Sequence, residues 1–382
     1  MCSLFFWWLA AVAIRTDFEG GQLAAIERAA PDHYRLHIKG EVDQDGRNRQ
    51  ASWYYFCIDG ARGRSLKIDL IDLPGEYNYK PNQGAIIEGT LPFISENGKS
   101  WRVLDTVEFD KQEPKLQIHI TPSSDRIWIA HQPPYTTEDL RRLLATPGLE
   151  WRSIGATPGG RDIPLITIGK GPKVVWLLFR QHAWESGSSW AGEGAVRFLL
   201  SDAARPLREA VTFKILAMCD PDGVARGGVR FNAKGFDLNR NWDTADAALM
   251  PEITAQRKAI LDWVDSGHPI DLLVTLHNDE QPEYLEGPPA KELEPLLRRF
   301  EAGLAKSPVF ASTKPAALGA GVSAKGRMTV VEGLYHDRKI PAFLIELRIV
   351  SHPKLGRPPG VDDRLRFGAD LVRAAANAVR QE

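Results

Sequence analysis

Short stretches in which apolar and polar residues alternate fill the first third of the chain. Examples are Tyr34–Ile38, Leu66–Leu70 and Leu116–Ile120, and turn-forming pairs of the Asp-Gly and Asn-Gly type occur between such stretches. A period of two places the apolar side chains on one face of a strand, which is typical of sheets with one buried face. The pattern predicts an N-terminal antiparallel β-sandwich over residues 14–134.

The pattern changes after Pro134. Largely apolar runs, such as Val174–Phe179 and Pro341–Leu347, now alternate with stretches of helical periodicity. A strand with few polar positions is buried on both faces, and this requires helices on both sides of the sheet. Residues 135–382 are therefore predicted to form an α/β domain.

Composition and charge exclude several classes of protein. The chain has 48 Lys and Arg residues against 49 Asp and Glu residues, a net charge of −1. This balance leaves no basic footprint for nucleic acid and no polybasic signal for anionic lipid. Three cysteines are too few for a disulfide framework. No apolar run reaches the roughly 18 residues that a transmembrane helix needs, so stable membrane insertion is not expected.

The first thirteen residues are uncharged and strongly apolar, and they end in Ala11-Val12-Ala13, a pattern like a signal-peptidase site. The positive charge that normally precedes such a segment is missing. We interpret residues 1–13 as a truncated signal peptide and expect an extracytoplasmic location, periplasmic or secreted. The alternative is a first strand of the sandwich in a cytoplasmic protein.

Two histidines lie where an α/β sheet usually binds its ligands. His182 follows the strand that ends at Phe179, and His277 follows the predicted strand over residues 271–275. Each has a glutamate three residues later, Glu185 and Glu280. Two imidazoles and one carboxylate form the ligand set of a catalytic zinc, which keeps a fourth position for water. The residues alone leave Glu185 and Glu280 open as the carboxylate.

Two further features favour chemistry at this edge of the sheet. Gly235–Trp242 is polar, rich in turns and dense in donors, which suits the binding of an anion. Glu346 lies inside an apolar strand, where a carboxylate is costly unless it is paired or functional. The structural alternative for Glu346 is an ion pair with Arg348.

Taken together, these blocks resemble a known family. Arg180–Trp190 is similar to the zinc motif of the metallocarboxypeptidases, Gly235–Trp242 to their second block, and Phe343–Arg348 to the strand that bears their catalytic glutamate. The resemblance is to the zinc metallocarboxypeptidase superfamily, in the cytosolic-carboxypeptidase-like branch with an N-terminal β-sandwich. It implies a mixed central sheet flanked by helices and one Zn²⁺ per chain.

The resemblance also implies a role for each matching position. The residues that would bind zinc are His182, Glu185 and His277. Asp237 matches a carboxylate that orients a zinc-binding histidine, and thereby sets its tautomer.

The remaining matches concern the substrate. Asn239 and Arg240 match the pair that binds the terminal carboxylate, where a forked guanidinium suits a planar anion. Arg230 matches the arginine that polarises the scissile carbonyl. Glu346 matches the general base that takes a proton from water and delivers it to the leaving amine.

Some positions depart from the family pattern or concern specificity. Ala183-Trp184 replaces Pro-Gly in the zinc motif and makes that loop bulkier. Lys325 and Arg327 are similar to a basic stretch of the cytosolic branch, which implies substrate binding and an acidic terminal residue. Tyr335 is the candidate for the mobile tyrosine of pancreatic-type enzymes.

The function implied is zinc-dependent hydrolysis of the C-terminal residue of a peptide or protein. A related zinc amidohydrolase or deacylase that acts on N-acyl amino acids or cell-wall peptides is the first alternative. The second is a binding module that has lost catalysis. The Asp-Leu-Asn-Arg-Asn-Trp block at residues 237–242 argues against the deacylase, and the intact set of presumed site residues argues against the module.

Overall fold

The computed structural model describes residues 11–321 and 323–380, and the N-terminal region of the chain is built from strands and loops. Its strands are β1 (Ala13–Arg15), β2 (Ala25–Ala30), β3 (His33–His37), β4 (Glu41–Val42), β5 (Arg49–Gln50), β6 (Tyr55–Asp59), β7 (Leu66–Ile71), β8 (Gly75–Tyr77), β9 (Lys80–Asn82), β10 (Phe93–Ser95), β11 (Arg102–Val103), β12 (Val107–Asp110), β13 (Lys115–Ile120) and β14 (Ile127–Ala130). They form two five-stranded sheets, ordered β1-β6-β14-β10-β11 and β12-β13-β7-β3-β2, and a four-stranded sheet, β4-β5-β8-β9.

The two five-stranded sheets share one buried core. Side chains from both sheets, such as Phe56 and Ile129 from one and Leu36 and Ile118 from the other, belong to the same hydrophobic cluster. The predicted antiparallel arrangement is confirmed for the described strand pairs except β3 and β7, which are parallel. A parallel pair needs a long crossover, and the segment between β3 and β7 is long enough to provide it.

The start of the chain bears on the predicted signal peptide. Residues 1–10, which form most of that segment, lie outside the described residues. Ala13, the last residue of the predicted cleavage site, is the first residue of β1, and Arg15 pairs with Cys57 of β6. The described end of the apolar segment is therefore an edge strand of the N-terminal region.

The C-terminal region alternates helices with strands. Its helices are α1 (Thr137–Leu144), α2 (Ser186–Leu200), α3 (Arg205–Ala210), α4 (Pro221–Ala225), α5 (Pro251–Asp265), α6 (Glu294–Leu304), α7 (Val330–Arg338) and α8 (Val361–Arg380). Its strands are β15 (Glu150–Ala156), β16 (Asp162–Ile168), β17 (Lys173–Phe179), β18 (Val211–Leu216), β19 (Leu272–Asp279), β20 (Tyr284–Gly287), β21 (Ala317–Leu318) and β22 (Ala342–Arg348). Among the described helices, none is long and apolar enough to cross a membrane.

These strands form one eight-stranded sheet in the order β15-β16-β18-β17-β19-β22-β20-β21. The four central strands, β18, β17, β19 and β22, are parallel, whereas β16 and β20 join them antiparallel on either side. The predicted α/β class with a mixed central sheet is confirmed.

The sheet is buried on both faces, as its apolar strands require. Along β17, Val175 and Leu177 belong to the core on one face, which also contains residues of α2 and α8. Trp176 and Leu178 belong to the core on the other face, together with residues of α5 and α7. The carboxyl ends of β17, β19 and β22 consequently meet at one open edge, where polar side chains can converge.

The N-terminal region packs against the loops at this edge. Trp53 and Tyr55 of the N-terminal region share a buried cluster with Trp184 and Val229 of the C-terminal region. The bulky Trp184 is accommodated because its indole stacks on the ring of His131, with centroids 5.9 Å apart and planes within 13°.

Candidate active site

Three buried side chains meet at the open edge of the sheet. His182 lies in the loop after β17, Glu185 immediately precedes α2, and His277 lies within β19, which extends further than the predicted strand. Nδ1 of His182 is 2.6 Å from one Glu185 oxygen, and Nδ1 of His277 is 3.0 Å from the other. One donor atom from each residue lies within 4.8 Å of the other two, so the set fits a single ion.

The outer nitrogens of both rings have their own partners. Nε2 of His182 is 3.0 Å from Oδ1 of Asp237. Nε2 of His277 is 3.0 Å from Thr275 Oγ1 and 3.1 Å from Gln181 Oε1. These contacts favour a proton on each Nε2, which leaves each Nδ1 lone pair directed at the shared point. Two neutral imidazoles and a carboxylate are donors that zinc prefers.

The charges of the cluster are consistent with an ionised carboxylate. Burial alone would raise the pKa of Glu185, but the adjacent His182 and His277 lower it below its usual range. Glu280, the competing carboxylate from the sequence, is not part of this cluster. It lies in the wall of the neighbouring cavity, and burial and Asp279 raise its pKa to about 8.

Asp237 joins the histidine cluster to Arg230. Its second carboxylate oxygen accepts a hydrogen bond from Arg230 Nε at 2.8 Å. The backbone of the Arg230 segment is held by Glu41 of β4, which accepts from the N–H groups of Arg230 at 2.7 Å and Phe231 at 3.1 Å. Sequence reasoning missed Glu41, because nothing near it in the chain indicates a contact with a segment 189 residues away.

Asn239 and Arg240 lie beside the cluster. The Asn239 side-chain oxygen accepts from the backbone N–H of Val330 at 3.0 Å, and its amide nitrogen is 3.5 Å from Nε2 of His277. Arg240 uses one guanidinium nitrogen to donate to the Asn239 carbonyl at 2.7 Å. The other guanidinium N–H groups of Arg240 make no hydrogen bond within the described ranges.

Glu346 reaches the same place from β22. It lies directly beside His277 in the parallel register of β19 and β22. Its Oε2 atom is buried and makes no hydrogen bond to any described residue. Burial, and then the charges of Glu185 and Asp279, raise its pKa well above the usual range.

The alternative ion pair between Glu346 and Arg348 does not form. Arg348 Nε instead donates to Glu283 at 2.9 Å, and the Glu283 side chain is fully buried. The charge of Arg348 is therefore already balanced by Glu283, and their attraction offsets part of the cost of burying both groups. Sequence reasoning could not see this, since Glu283 precedes Arg348 by 65 residues.

A cavity of about 380 Å³ opens in front of these groups. Its walls come from both regions of the chain. The lining residues are Gln50, Ser52, Tyr77, Asn82, Gly84, Ala85, His182, Trp184, Glu185, Arg230, Asn239, Arg240, Asn278, Asp279, Glu280, Tyr284, Glu286, Thr329, Leu344 and Glu346. Of these, Tyr284 and Glu286 were missed, although their alternation with Leu285 shortly after His277 could have indicated a strand facing the site.

Three residues singled out from the sequence neither line the cavity nor form a hydrogen bond with the metal cluster. Lys325 and Arg327 flank a turn that Asp243 holds by accepting from backbone N–H groups, one of them that of Gly326 at 2.6 Å. These bonds fix the backbone and leave Lys325 exposed to solvent. Tyr335 donates a hydrogen bond to Glu292 and does not line the cavity.

Comparison with known proteins identifies the family. Residues 14–131 match the model of the cytosolic carboxypeptidase N-terminal domain, and residues 140–284 match that of zinc carboxypeptidase. The chain belongs to the zinc carboxypeptidase family. The N-terminal match assigns it to the cytosolic-carboxypeptidase-like branch, and the cofactor of the family is zinc.

Individual relatives of this zinc carboxypeptidase are distant. An uncharacterised protein of Zymomonas mobilis is 28% identical over 310 residues, which cover 77% of this chain and 76% of the relative. Cytosolic carboxypeptidase 1 of Danio rerio is 35% identical over 298 residues, which cover 66% of this chain. The matched part is 26% of that relative, so the chain spans about a quarter of its length.

A solved structure shares the fold over nearly the whole chain. The metallo-carboxypeptidase from Burkholderia cenocepacia has a TM-score of 0.80 and 24% sequence identity, over 97% of this chain and 99% of its own. The comparisons also correct the expected location. The extracytoplasmic prediction is wrong, because the matching N-terminal domain and the Danio rerio relative both carry the name cytosolic carboxypeptidase.

Proposed function

We propose that this zinc carboxypeptidase hydrolyses the last peptide bond of a peptide or protein chain and releases the C-terminal residue. One observation carries the proposal. His182, Glu185, Glu346 and Arg240 line one cavity, and His277 lies directly behind its wall, 3.0 Å from Glu185. That cavity offers a metal site, a proton acceptor and an anion site to the same small ligand.

His182, Glu185 and His277 would hold the zinc ion. When bound, zinc supplies Lewis acidity, which lowers the pKa of water and polarises a carbonyl group. Asp237 would fix the orientation of the His182 ring from behind, because its carboxylate accepts from the outer nitrogen.

Arg240 and Asn239 would bind the terminal carboxylate of the substrate. The Arg240 guanidinium has no carboxylate partner in the described ranges, so its planar fork remains available for a planar anion. The Asn239 side chain is positioned by its bond to the Val330 N–H, which leaves only the amide N–H groups to donate. Recognition of a free carboxylate restricts cleavage to the end of the chain.

Arg230 and Glu346 would act at the scissile bond. The Arg230 Nε atom is held by Asp237, and this leaves the terminal nitrogens of the guanidinium for the carbonyl oxygen as negative charge develops there. Glu346 would accept a proton from the attacking water and deliver it to the nitrogen of the leaving amine. Its partner-free Oε2 and its position beside His277 support this role.

Lys325 and Arg327 do not line the cavity, so they give no support to the predicted acidic terminal residue. The names of the matching N-terminal domain and of the Danio rerio relative support a cytoplasmic location. The partner in this proposal is a peptide or protein C-terminus.

The test is a panel of peptides that differ in the last residue, incubated with the zinc-loaded protein, with products identified by mass. Stepwise loss of single C-terminal residues is expected. Metal-free protein and a peptide with an amidated C-terminus serve as controls, because the amide removes the charge that Arg240 would bind. Internal cleavage, or deacylation without loss of a terminal residue, would show that the proposal is wrong.

A further inference from the structure

The cavity has one strand wall whose polar groups have no assigned role. Strand β20 runs antiparallel to β22, with Tyr284 opposite Glu346 and Glu286 opposite Leu344. Residues directly opposite each other on such a pair share one face of the sheet, and all four line the cavity. Glu286 therefore faces the cavity beside Leu344, about 7 Å along the sheet from Glu346.

The carboxylate of Glu286 has an unusual environment for its position. It is partly buried, and it forms no hydrogen bond or ion pair with another residue of ranges 11–321 and 323–380. Burial, and then the charge of Glu332, raise its pKa, whereas the charge of Arg240 lowers it. A partly desolvated carboxylate without a partner is costly, and a bound cation would remove that cost.

The position of Glu286 relative to the proposed substrate follows from the cavity that it shares with two other charged residues. Glu286, Arg240 and Glu346 all line this cavity, and Glu286 lies two residues along the sheet from Glu346. In the proposed function, Arg240 binds the terminal carboxylate and Glu346 acts at the scissile bond. The side chain of the terminal residue originates between these points, so the wall formed by Leu344 and Glu286 is within its reach.

We infer that Glu286 selects a substrate whose C-terminal residue is cationic, lysine or arginine, by pairing with its ammonium or guanidinium group. The inference rests on the proposed function for the orientation of the substrate. The alkyl stem of such a side chain packs on Leu344 while its charged head meets Glu286. An acidic terminal side chain is disfavoured, because it would place a second negative charge beside an unpaired carboxylate.

The experiment compares peptides that end in Lys, Arg, norleucine or Glu and are otherwise identical. We expect kcat/KM for Lys and Arg to exceed that for norleucine by at least about tenfold, with Glu the poorest. Glu286→Gln should reduce the ratio of Lys to norleucine to about one, and Glu286→Arg should favour Glu. Glu280→Gln is the matched control, since Glu280 lines the same cavity, and should leave that ratio within about twofold.

A binding measurement separates this inference from the proposed function. In Glu346→Gln protein, calorimetry should show that the Lys peptide binds more tightly than the norleucine peptide, and Glu286→Gln should abolish the difference. Equal binding, or release of norleucine or Glu as fast as Lys, overturns the inference and leaves the carboxypeptidase proposal intact. If no residue is released but the Glu286-dependent binding preference is present, the proposed function fails, whereas the pairing of Glu286 with a cationic side chain is supported.

Discussion

Glu41 accepts a hydrogen bond from the backbone N–H of Arg230 at 2.7 Å, although the two residues are 189 positions apart. The other oxygen of Glu41 accepts from the Arg226 guanidinium at 2.9 Å. One carboxylate of the N-terminal region thus anchors the loop that presents Arg230 to the cavity. The N-terminal region contributes to the geometry of the site as well as to its walls.

We therefore predict that Glu41→Ala lowers kcat by about tenfold, because hydrogen bonds to a charged group hold the Arg230 backbone in place. KM and zinc content should change little, since Glu41 forms no hydrogen bond with Arg240 or with a residue of the metal cluster. The check is steady-state kinetics together with metal analysis and a thermal unfolding curve. Glu27→Ala, on exposed strand β2 of the same region, is the control. A normal kcat in the Glu41 variant would contradict the prediction.

Replacement of the proposed base should separate chemistry from binding. Glu346→Gln keeps the shape of the side chain but cannot accept a proton at near-neutral pH. We expect kcat to fall by about 10²- to 10⁴-fold, while bound zinc and affinity for a C-terminal peptide are retained. Kinetics, metal analysis and calorimetry measure the three quantities. Glu113→Gln, at an exposed position of the N-terminal region, should behave like the wild type. Substantial hydrolysis by the Glu346 variant would exclude it as the base.

Metal removal should destabilise the fold as well as stop hydrolysis. The buried carboxylate of Glu185 would lose the ion that balances it, and a ligand at 1,000 times its Kd stabilises a protein by about 4 kcal/mol. We expect chelation to lower Tm and zinc to restore it, as followed by differential scanning calorimetry. In His277→Ala, added zinc should no longer raise Tm. His268→Ala is the control, because His268 stacks on Trp263 away from the cluster. A zinc-dependent Tm in the His277 variant would contradict the assignment.

The histidine between the two regions should make stability depend on pH. His131 donates through Nδ1 to the Ser52 carbonyl at 2.7 Å, and its buried Nε2 has no partner among the described residues. Burial lowers its pKa to about 4. The unfolded chain, with a histidine pKa of about 6.5, binds a proton more readily than the folded chain between these values, so stability falls as the pH decreases through this window.

Between about pH 7.5 and about pH 5, this histidine should lower the free energy of unfolding by about 2 kcal/mol. Denaturant unfolding at the two pH values measures the loss. His131→Asn keeps a donor for Ser52 and cannot be protonated. The free energy of unfolding of this variant should therefore decrease less over the same interval, by about that amount. An equal loss in both proteins would show that His131 does not account for the pH dependence.

The local pattern of the chain was sufficient for the fold class and for most of the proposed site. Apolar runs such as Val174–Phe179 indicated strands buried on both faces. The order of apolar and polar residues along a strand depends on what each of its two faces contacts, so it can be read from the strand alone. The same logic placed His182 and His277 at strand ends. The distance between them, with Nδ1 atoms 3.3 Å apart, agrees with that expectation.

The tertiary structure decided what depends on residues far apart in sequence. It paired Arg348 with Glu283 and left Glu346 without a partner. It brought Glu41 to the Arg230 loop, placed Glu286 in the cavity wall and kept Lys325 and Arg327 out of it. The physical reason is that strand period and turn chemistry act over a few residues, whereas charge pairing and cavity shape depend on which strands become neighbours, and only the folded sheet specifies that.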